Sequence, residues 1–286
     1  NGIYKFANTV GAGVVRYIGS GTSFTDSGLS PGVDYYYKVY TVDKAFNYSD
    51  EITVTAGAGA TSTTWTTSWS NGTPDSTVEA IIDGTYSGAA FDAKRLTVNA
   101  SKSLTVTSGN MTIQNEVINN GTLVVENNAN LIQVNNTTNT GNVSVKRNSN
   151  ALSRLDYTIW SSPVLGTQTL AQFSPLTSQS PNRFYTYDTA NNQYDNTNVP
   201  TTATFGKAAG YLVRMPNTDP TPNYDAGTAT LVYPGVFTGV LNNGTISKAI
   251  VNTGSGYNMV GNPYSSTISA DAFMTANTAS IESTLY

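Results

Sequence analysis

The sequence predicts an all-β protein built from three successive modules, and three observations carry that prediction. Apolar residues alternate between Gly-, Pro- and Asp-rich turns through residues 1–56. A short apolar-x-apolar beat recurs from Leu96 to Val134, and longer alternating strands follow Asn148. We expect a partial β-sandwich over 1–56 and a linker over 57–63. A short parallel β-helix with an N-terminal cap should occupy 64–147, and a β-sandwich or jelly-roll-like domain 148–286.

The middle stretch is the most regular. Its beat falls at Leu96/Val98, Leu104/Val106, Met111/Ile113, Leu123/Val125 and Ile132/Val134, with a weaker beat at Val117. Asn, Gly, Ser and Thr lie between beats, so each reads as a strand of two or three residues with inward apolar side chains, then a polar bend. Leu96 returns at Val117 after 21 residues, Leu104 at Leu123 after 19, and Met111 at Ile132 after 21. That period suits a three-sided solenoid in which each coil stacks on the one before. The bends at Asn119-Asn-Gly and Asn127-Asn-Ala-Asn are expected to form stacked amide ladders and to use the tolerance of Asn and Gly for positive φ.

Composition narrows the function. Charged residues make up 11% of the 286, against about 25% in ordinary soluble domains. A net charge of -4 offers no basic footprint for nucleic acid or an anionic membrane surface. The chain has no cysteine and no histidine, which removes thiol nucleophiles, thiolate metal sites and imidazole bases. No run of about 18 apolar residues is present, so membrane insertion is not expected. The wealth of Ser, Thr and Asn leans towards an exported, extracellular protein. The abrupt ends, Asn1-Gly-Ile-Tyr4 and Ser283-Thr-Leu-Tyr286, are expected to be cuts through a longer polypeptide.

Within residues 1–56, strands are expected at Tyr4/Phe6, Val14–Ile18, Tyr35–Thr41 and Ile52/Val54. The segment from Gly28 to Asp43 contains Leu29, Pro31 and Tyr35 in a Leu-x-Pro-x-x-x-Tyr run. It resembles the fibronectin type III module, which implies a tyrosine corner at Tyr35, its hydroxyl returning to backbone. A module of that kind needs about 90–100 residues. Only its later strands are present, so an exposed apolar face is expected.

Next, Trp65 and Trp69 could stack on sugar rings or close the open end of the solenoid, and we favour the lid. The solenoid strands carry few ionisable groups, chiefly Lys102, Glu116 and Glu126. They lack the paired carboxylates that acid/base cleavage of polysaccharide requires.

After Asn148, strands are expected at Ile159–Val164, Phe184–Asp188, Gly210–Met215, Val236–Gly244 and Gly256–Tyr264, followed by a short helix capped by Ser269. The segments Ser161-Ser-Pro-Val164, Gly210-Tyr-Leu-Val213, Phe237-Thr-Gly-Val-Leu-Asn-Asn-Gly244 and Gly261-Asn-Pro-Tyr264 resemble a region of large secreted proteins of Bacteroidetes exported by the type IX system. That resemblance implies a lineage and an extracellular or cell-surface address. Gly261-Asn-Pro-Tyr264 reads as a strand-ending turn, with Pro263 fixing φ and Tyr264 covering the core.

Carbohydrate binding is the main alternative to a structural role. Trp65, Trp69, Tyr185 and Tyr187 are its first candidates, followed by Trp160, Tyr194 and Tyr211, with Asp188 and Asp195 as acceptors. No cofactor is expected. Calcium is the cation the oxygen-only inventory would suit, but Asp188, Asp195, Asp219 and Asp225 are isolated in sequence. Asp75-Ser-Thr and Asp188-Thr-Ala fit an Asp-Ser/Thr-small pattern used for O-glycosylation in Bacteroidetes, which marks Ser76 and Thr189.

The sequence thus supports a non-catalytic structural or adhesive segment of a large secreted or cell-surface protein. Its expected partners are other segments of the same polypeptide, copies of itself, or extracellular polysaccharide.

Overall fold

A computed structural model describes residues 4–30, 33–57 and 61–282. The chain forms two compact units, Asn1–Thr61 and Ser62–Tyr286. Pro31 of the Leu-x-Pro run, residues 58–60 of the expected linker, and the terminal Asn1–Ile3 and Ser283–Tyr286 lie outside the described residues.

The first unit contains two antiparallel hairpins: β1 (Thr9–Val10) with β2 (Gly13–Val14), and β3 (Asp34–Val39) with β4 (Ile52–Gly57). The expected strand at Tyr4/Phe6 is absent, and the one at Val14–Ile18 shrinks to its first residue. The Tyr35 hydroxyl accepts the Ser30 N–H at 2.8 Å, so the ring does return to backbone five residues upstream. Apolar side chains of this unit stand in solvent, with Tyr36 75% and Ile52 66% exposed.

Polar contacts and aromatic pairs such as Tyr17–Phe24 link this unit. Arg16 forms an ion pair with Asp26, and Lys38 reaches Glu51 at 2.8 Å. The Arg16 hydrogen bond holds Asp26 below the usual carboxylate range, the Lys38 bond does the same for Glu51, and the Asn47 side chain does so for Asp43. A carboxylate depressed in the folded state stabilises fully above its unfolded pKa, and that stability is lost as pH falls through the folded value. We predict that exchange protection of the β3–β4 amides holds steady above about pH 5 and falls away below about pH 4. Protection maintained to pH 2 would refute these roles.

The second unit opens with the solenoid. Its first face is a parallel sheet of β5 (Ser62–Trp65), β6 (Glu79–Ile82), β8 (Leu96–Val98) and β10 (Val117–Asn119). Ser62 and Thr63, assigned to the linker from sequence, belong to β5, where Thr63 is buried. The second face stacks β7 (Thr85–Ala89), the start of β9 (Ser103–Ile113), β11 (Thr122–Val125) and the start of β13 (Val143–Ser153). The third pairs the end of β9 with β12 (Ala129–Gln133), and Ala93 bridges Ile113. The stack has about four coils.

Leu96, Val98, Leu104, Val106, Met111, Ile113, Leu123 and Val125 are each at most 1% exposed, the inward set expected from the beat. The fifth beat slips by one residue. Met111 pairs with Leu131, not Ile132, and the inward residues are Ala129 and Leu131, while Val134 is 57% exposed. Side chains alternate with period two, so a one-residue register change exchanges the two faces. An amide ladder forms at one of the two expected bends, with Asn130 donating to Asn110 at 2.8 Å; another joins Asn135 to Asn115 at 3.0 Å outside them, while Asn119 donates to the Asn142 carbonyl. Positive φ falls elsewhere, at Ser101, Gly109 and Gly141.

After β13 come β14 (Tyr157–Trp160), β15 (Val164–Leu165), helix α1 (Leu170–Phe173), β16 (Phe184–Asp188), β17 (Gln193–Asp195), β18 (Tyr211–Arg214), β19 (Thr230–Leu241) and helix α2 (Ala270–Ala276). Strands β14, β18, β16 and β17 form an antiparallel sheet in that order. Its inner face meets β19 and α1 through aromatic rings: Trp160, Phe173, Phe205 and Phe237 have neighbouring centroids 4.6–5.9 Å apart. This is the sandwich-like part of the unit.

The boundary expected at 147/148 falls inside β13, which pairs in parallel with β11 and antiparallel with β19. The solenoid sheet thus continues directly into the C-terminal block, and β15 extends it through β19. The segment Gly256–Tyr264 has no strand, only a bridge from Val260 to Ala209. Helix α2 begins as expected, its Ala272 N–H bonded to the Ser269 hydroxyl at 3.2 Å. Helix α1 carries a Thr169/Gln172 capping box that the sequence reading passed over.

Candidate functional site

Three surfaces of the second unit concentrate polar chemistry: the solenoid ends, one solenoid flank, and the outer face of the four-stranded sheet.

At the N-terminal end, Trp65 occupies the inward register of Ile82 and Val98. Its ring meets Trp69 at 5.4 Å and 67°, and Tyr86 at 4.9 Å and 77°. Phe91 closes the group against Trp69 at 5.1 Å. Edge-to-face rings packed on the core make a lid. The two indoles do not present one shared plane, and their packing on the core fits the lid reading of Trp65 and Trp69.

At the other end the solenoid interior turns polar. Asn119, Gln133 and Asn139 take positions that earlier coils fill with apolar side chains, and Gln133 and Asn139 bond each other at 2.7 and 2.8 Å. Segments from the C-terminal block finish the closure. The Asn139 amide reaches the Leu241 carbonyl at 3.1 Å, and Asn243 reaches those of Asn135 and Thr137 at 2.9 Å. Ser265 pairs with the β12 edge at Leu131 through a 3.1 Å backbone bond and a 2.8 Å hydroxyl bond. Tyr264 donates to the Gly244 carbonyl at 2.7 Å, and buried Pro263 presents its carbonyl to Asn242.

Arg147 staples this joint, donating to the Glu126, Lys146 and Ser265 carbonyls, and burial lowers its pKa. The segments Leu241–Gly244 and Gly261–Ser265, distinctive in sequence, are thus the solenoid's C-terminal cap. A cleft of about 320 Å³ beside it is lined by Arg147, Ser161, Asn262, Tyr264 and neighbours, and a second of about 370 Å³ by Asn142, Gln168, Gln172 and neighbours. Neither lining includes Asp or Glu.

On the solenoid flank, Arg95 pairs with Glu79 on the coil before and with Glu116 on the coil after, the latter at 3.3 Å. Glu79 opens β6, while Arg95 and Glu116 directly precede β8 and β10 at the equivalent register, so the row is a coil-to-coil ladder of charge. Sequence inspection noted Glu116 but missed the row.

The third surface is the outer face of the four-stranded sheet. Alternation directs Tyr211, Val213 and Phe184 inward, and Arg214, Tyr185 and Tyr187 outward. Tyr157 pairs with Arg214, and Tyr187 with Tyr194. The Tyr157 and Tyr185 rings lie 5.7 Å apart, and Arg183 donates to the Tyr185 hydroxyl at 3.0 Å. Burial and the Tyr185 contact raise the Tyr157 phenol. Burial also pushes Tyr185 up, but bonding from Arg183 and Tyr157 and the nearby arginine charge hold it below its ordinary value. Of the carbohydrate candidates, Tyr185, Tyr187 and Tyr194 share this face, whereas Trp160 and Tyr211 are buried in the core. Tyr157, Arg183 and Arg214 were missed, although Arg183-Phe-Tyr-Thr-Tyr187 places three of these side chains on one face by period two.

Of the O-glycosylation candidates, Ser76 is exposed in a turn, whereas Thr189 is 7% exposed and donates to the Tyr257 carbonyl at 2.6 Å. Thr189 therefore offers no free hydroxyl in the folded protein. Among the described residues no three Asp or Glu side chains gather in a metal-holding group. Asp188, Asp195 and Asp219 each close a local turn, with bonds to Ala190 and Asn191, to Thr197 and Asn198, and to Thr221 respectively.

The fold and its capping joint define a short β-solenoid fused through one sheet to a sandwich-like block. Residues 57–286 match the model of a domain of unknown function, DUF8693, and the chain belongs to that family. The match runs through both the solenoid and the C-terminal block, which together form the compact unit Ser62–Tyr286. No curated protein and no solved structure matches the chain.

Proposed function

We propose that this chain is a non-catalytic structural segment of a large secreted or cell-surface protein, acting as a rigid stalk or assembly module. The observation that carries the reading is the β13–β19 junction, where the solenoid passes into the next block by strand pairing without a linker. A hinge would require a segment with few contacts, and a continuous sheet supplies none. The distinctive motifs at 241–244 and 261–265 are spent on the joint, and the two clefts present amides, hydroxyls and the Arg147 guanidinium but no carboxylate. The resemblance to Bacteroidetes type IX cargo adds the expected address.

Mechanical and enzymatic tests address the proposal together. Under force applied across residues 62 and 282, we expect one dominant unfolding event, and no release of reducing ends from a panel of polysaccharides. Two separate events at low force, or catalytic turnover abolished by substitution within a cleft, would overturn it.

A further inference from the structure

We propose that the outer face of the β14–β18–β16–β17 sheet binds an acidic polysaccharide, with Arg183 and Arg214 holding its anionic groups and Tyr157, Tyr185 and Tyr187 contacting the sugar rings. The inference is independent of the structural role, which stands whether or not this face binds anything.

Charge accounting is the first support. Arg183 and Arg214 are half-buried, and among the described residues neither has a carboxylate within ion-pair distance; the bonds of their terminal nitrogens go to the Tyr185 hydroxyl and the Asn217 side chain. Both Nε atoms are shut from solvent without a partner, as is that of Arg154. A guanidinium has five N–H donors; the sealed Nε aside, each head carries terminal N–H groups beyond the one bond named. Partial desolvation of uncompensated cations is costly, and an arriving anion offsets it. Asp219 and Asp225 act on the Tyr224 phenol and pair with neither arginine.

Placement is the second. Arg183 directly precedes β16 and Arg214 ends its neighbour β18, and the Arg214 N–H bond to the Arg183 carbonyl at 3.1 Å sets them side by side. Adjacent strands lie about 4.8 Å apart, so the two heads can meet successive groups of one polymer. The tyrosines extend along the same face, each offering a ring surface and a hydroxyl. A polymer of sugars bearing carboxylate or sulfate matches both halves of this surface. Nucleic acid fits poorly, because a chain of net charge -4 with two or three clustered arginines cannot neutralise many phosphates.

The test is affinity electrophoresis of the purified chain through gels holding polygalacturonate, dextran sulfate or neutral dextran. We expect retardation by at least one anionic polymer and none by neutral dextran. Retardation by polygalacturonate alone assigns carboxylate, by dextran sulfate alone assigns sulfate, and by both assigns the anionic class. Arg183→Gln and Tyr187→Ala should each weaken binding at least tenfold at an unchanged melting temperature, while Arg95→Gln on the solenoid flank leaves it intact. Tyr187→Ala keeps the test decisive if Arg183→Gln fails to fold. Equal retardation by neutral dextran, no retardation at low ionic strength, or binding undiminished in folded Tyr187→Ala would overturn the proposal.

Discussion

Phe237→Ala is expected to lower the unfolding free energy of residues 62–286 by about 3–5 kcal/mol, the range for a large aromatic lost from a core. Phe237 is 1% exposed and stacks on Phe173 with centroids 4.6 Å apart, while Trp160 and Phe205 meet it edge-on. Its backbone also pairs with Val145, whose strand is the last of the parallel stack. The damage should therefore spread in both directions. In hydrogen exchange, amides of Leu123 and Val125 in the solenoid should speed up together with those of Tyr211 and Val213. Faster exchange confined to the C-terminal block would mean that the shared sheet does not couple the two parts.

Gly141→Ala should be nearly as damaging, at about 2–4 kcal/mol, because two independent penalties coincide. Gly141 adopts φ +82°, and an added Cβ would run into the carbonyl of Asn119 on the coil beneath. Gly109 separates the two effects. It has φ +86°, yet its nearest obstacle is the Ala90 Cβ at 3.4 Å, so Gly109→Ala should cost only the conformational share, about 1–2 kcal/mol. Denaturant midpoints of the two variants would check the ordering; equal losses would show that close stacking at Gly141 contributes nothing.

The solenoid core was legible because burial on three faces forces an apolar pair into nearly every short strand. The beat misled only where it met real ambiguity: Leu131, Ile132 and Val134 are all apolar, and composition cannot choose a register that the pairing of Met111 with Leu131 decides. The boundary at 147/148 was misplaced for a related reason. The pattern does change near Asn148, but β13 continues through it, because its other edge pairs antiparallel with β19 all the way from Val143 to Ser153. The cap was invisible for the same reason: Asn139, Asn243 and Ser265 are ordinary polar residues until the chain brings them together. Arg183 and Arg214 sit 31 positions apart, and only sheet pairing makes them neighbours.

The two ends of the solenoid differ in kind, aromatic at Trp65 and Trp69 and amide-rich at Asn119, Gln133 and Asn139. Neither resembles the face that one coil offers to the next. A parallel stack is by nature a polymer that could add units at either terminus, and exposed strand edges invite that growth. Here one terminus is blocked by rings and the other is occupied by the protein's own downstream chain. The repeat is thereby a fixed measure of length, since neither terminus offers a further coil the apolar face on which one coil stacks upon the next.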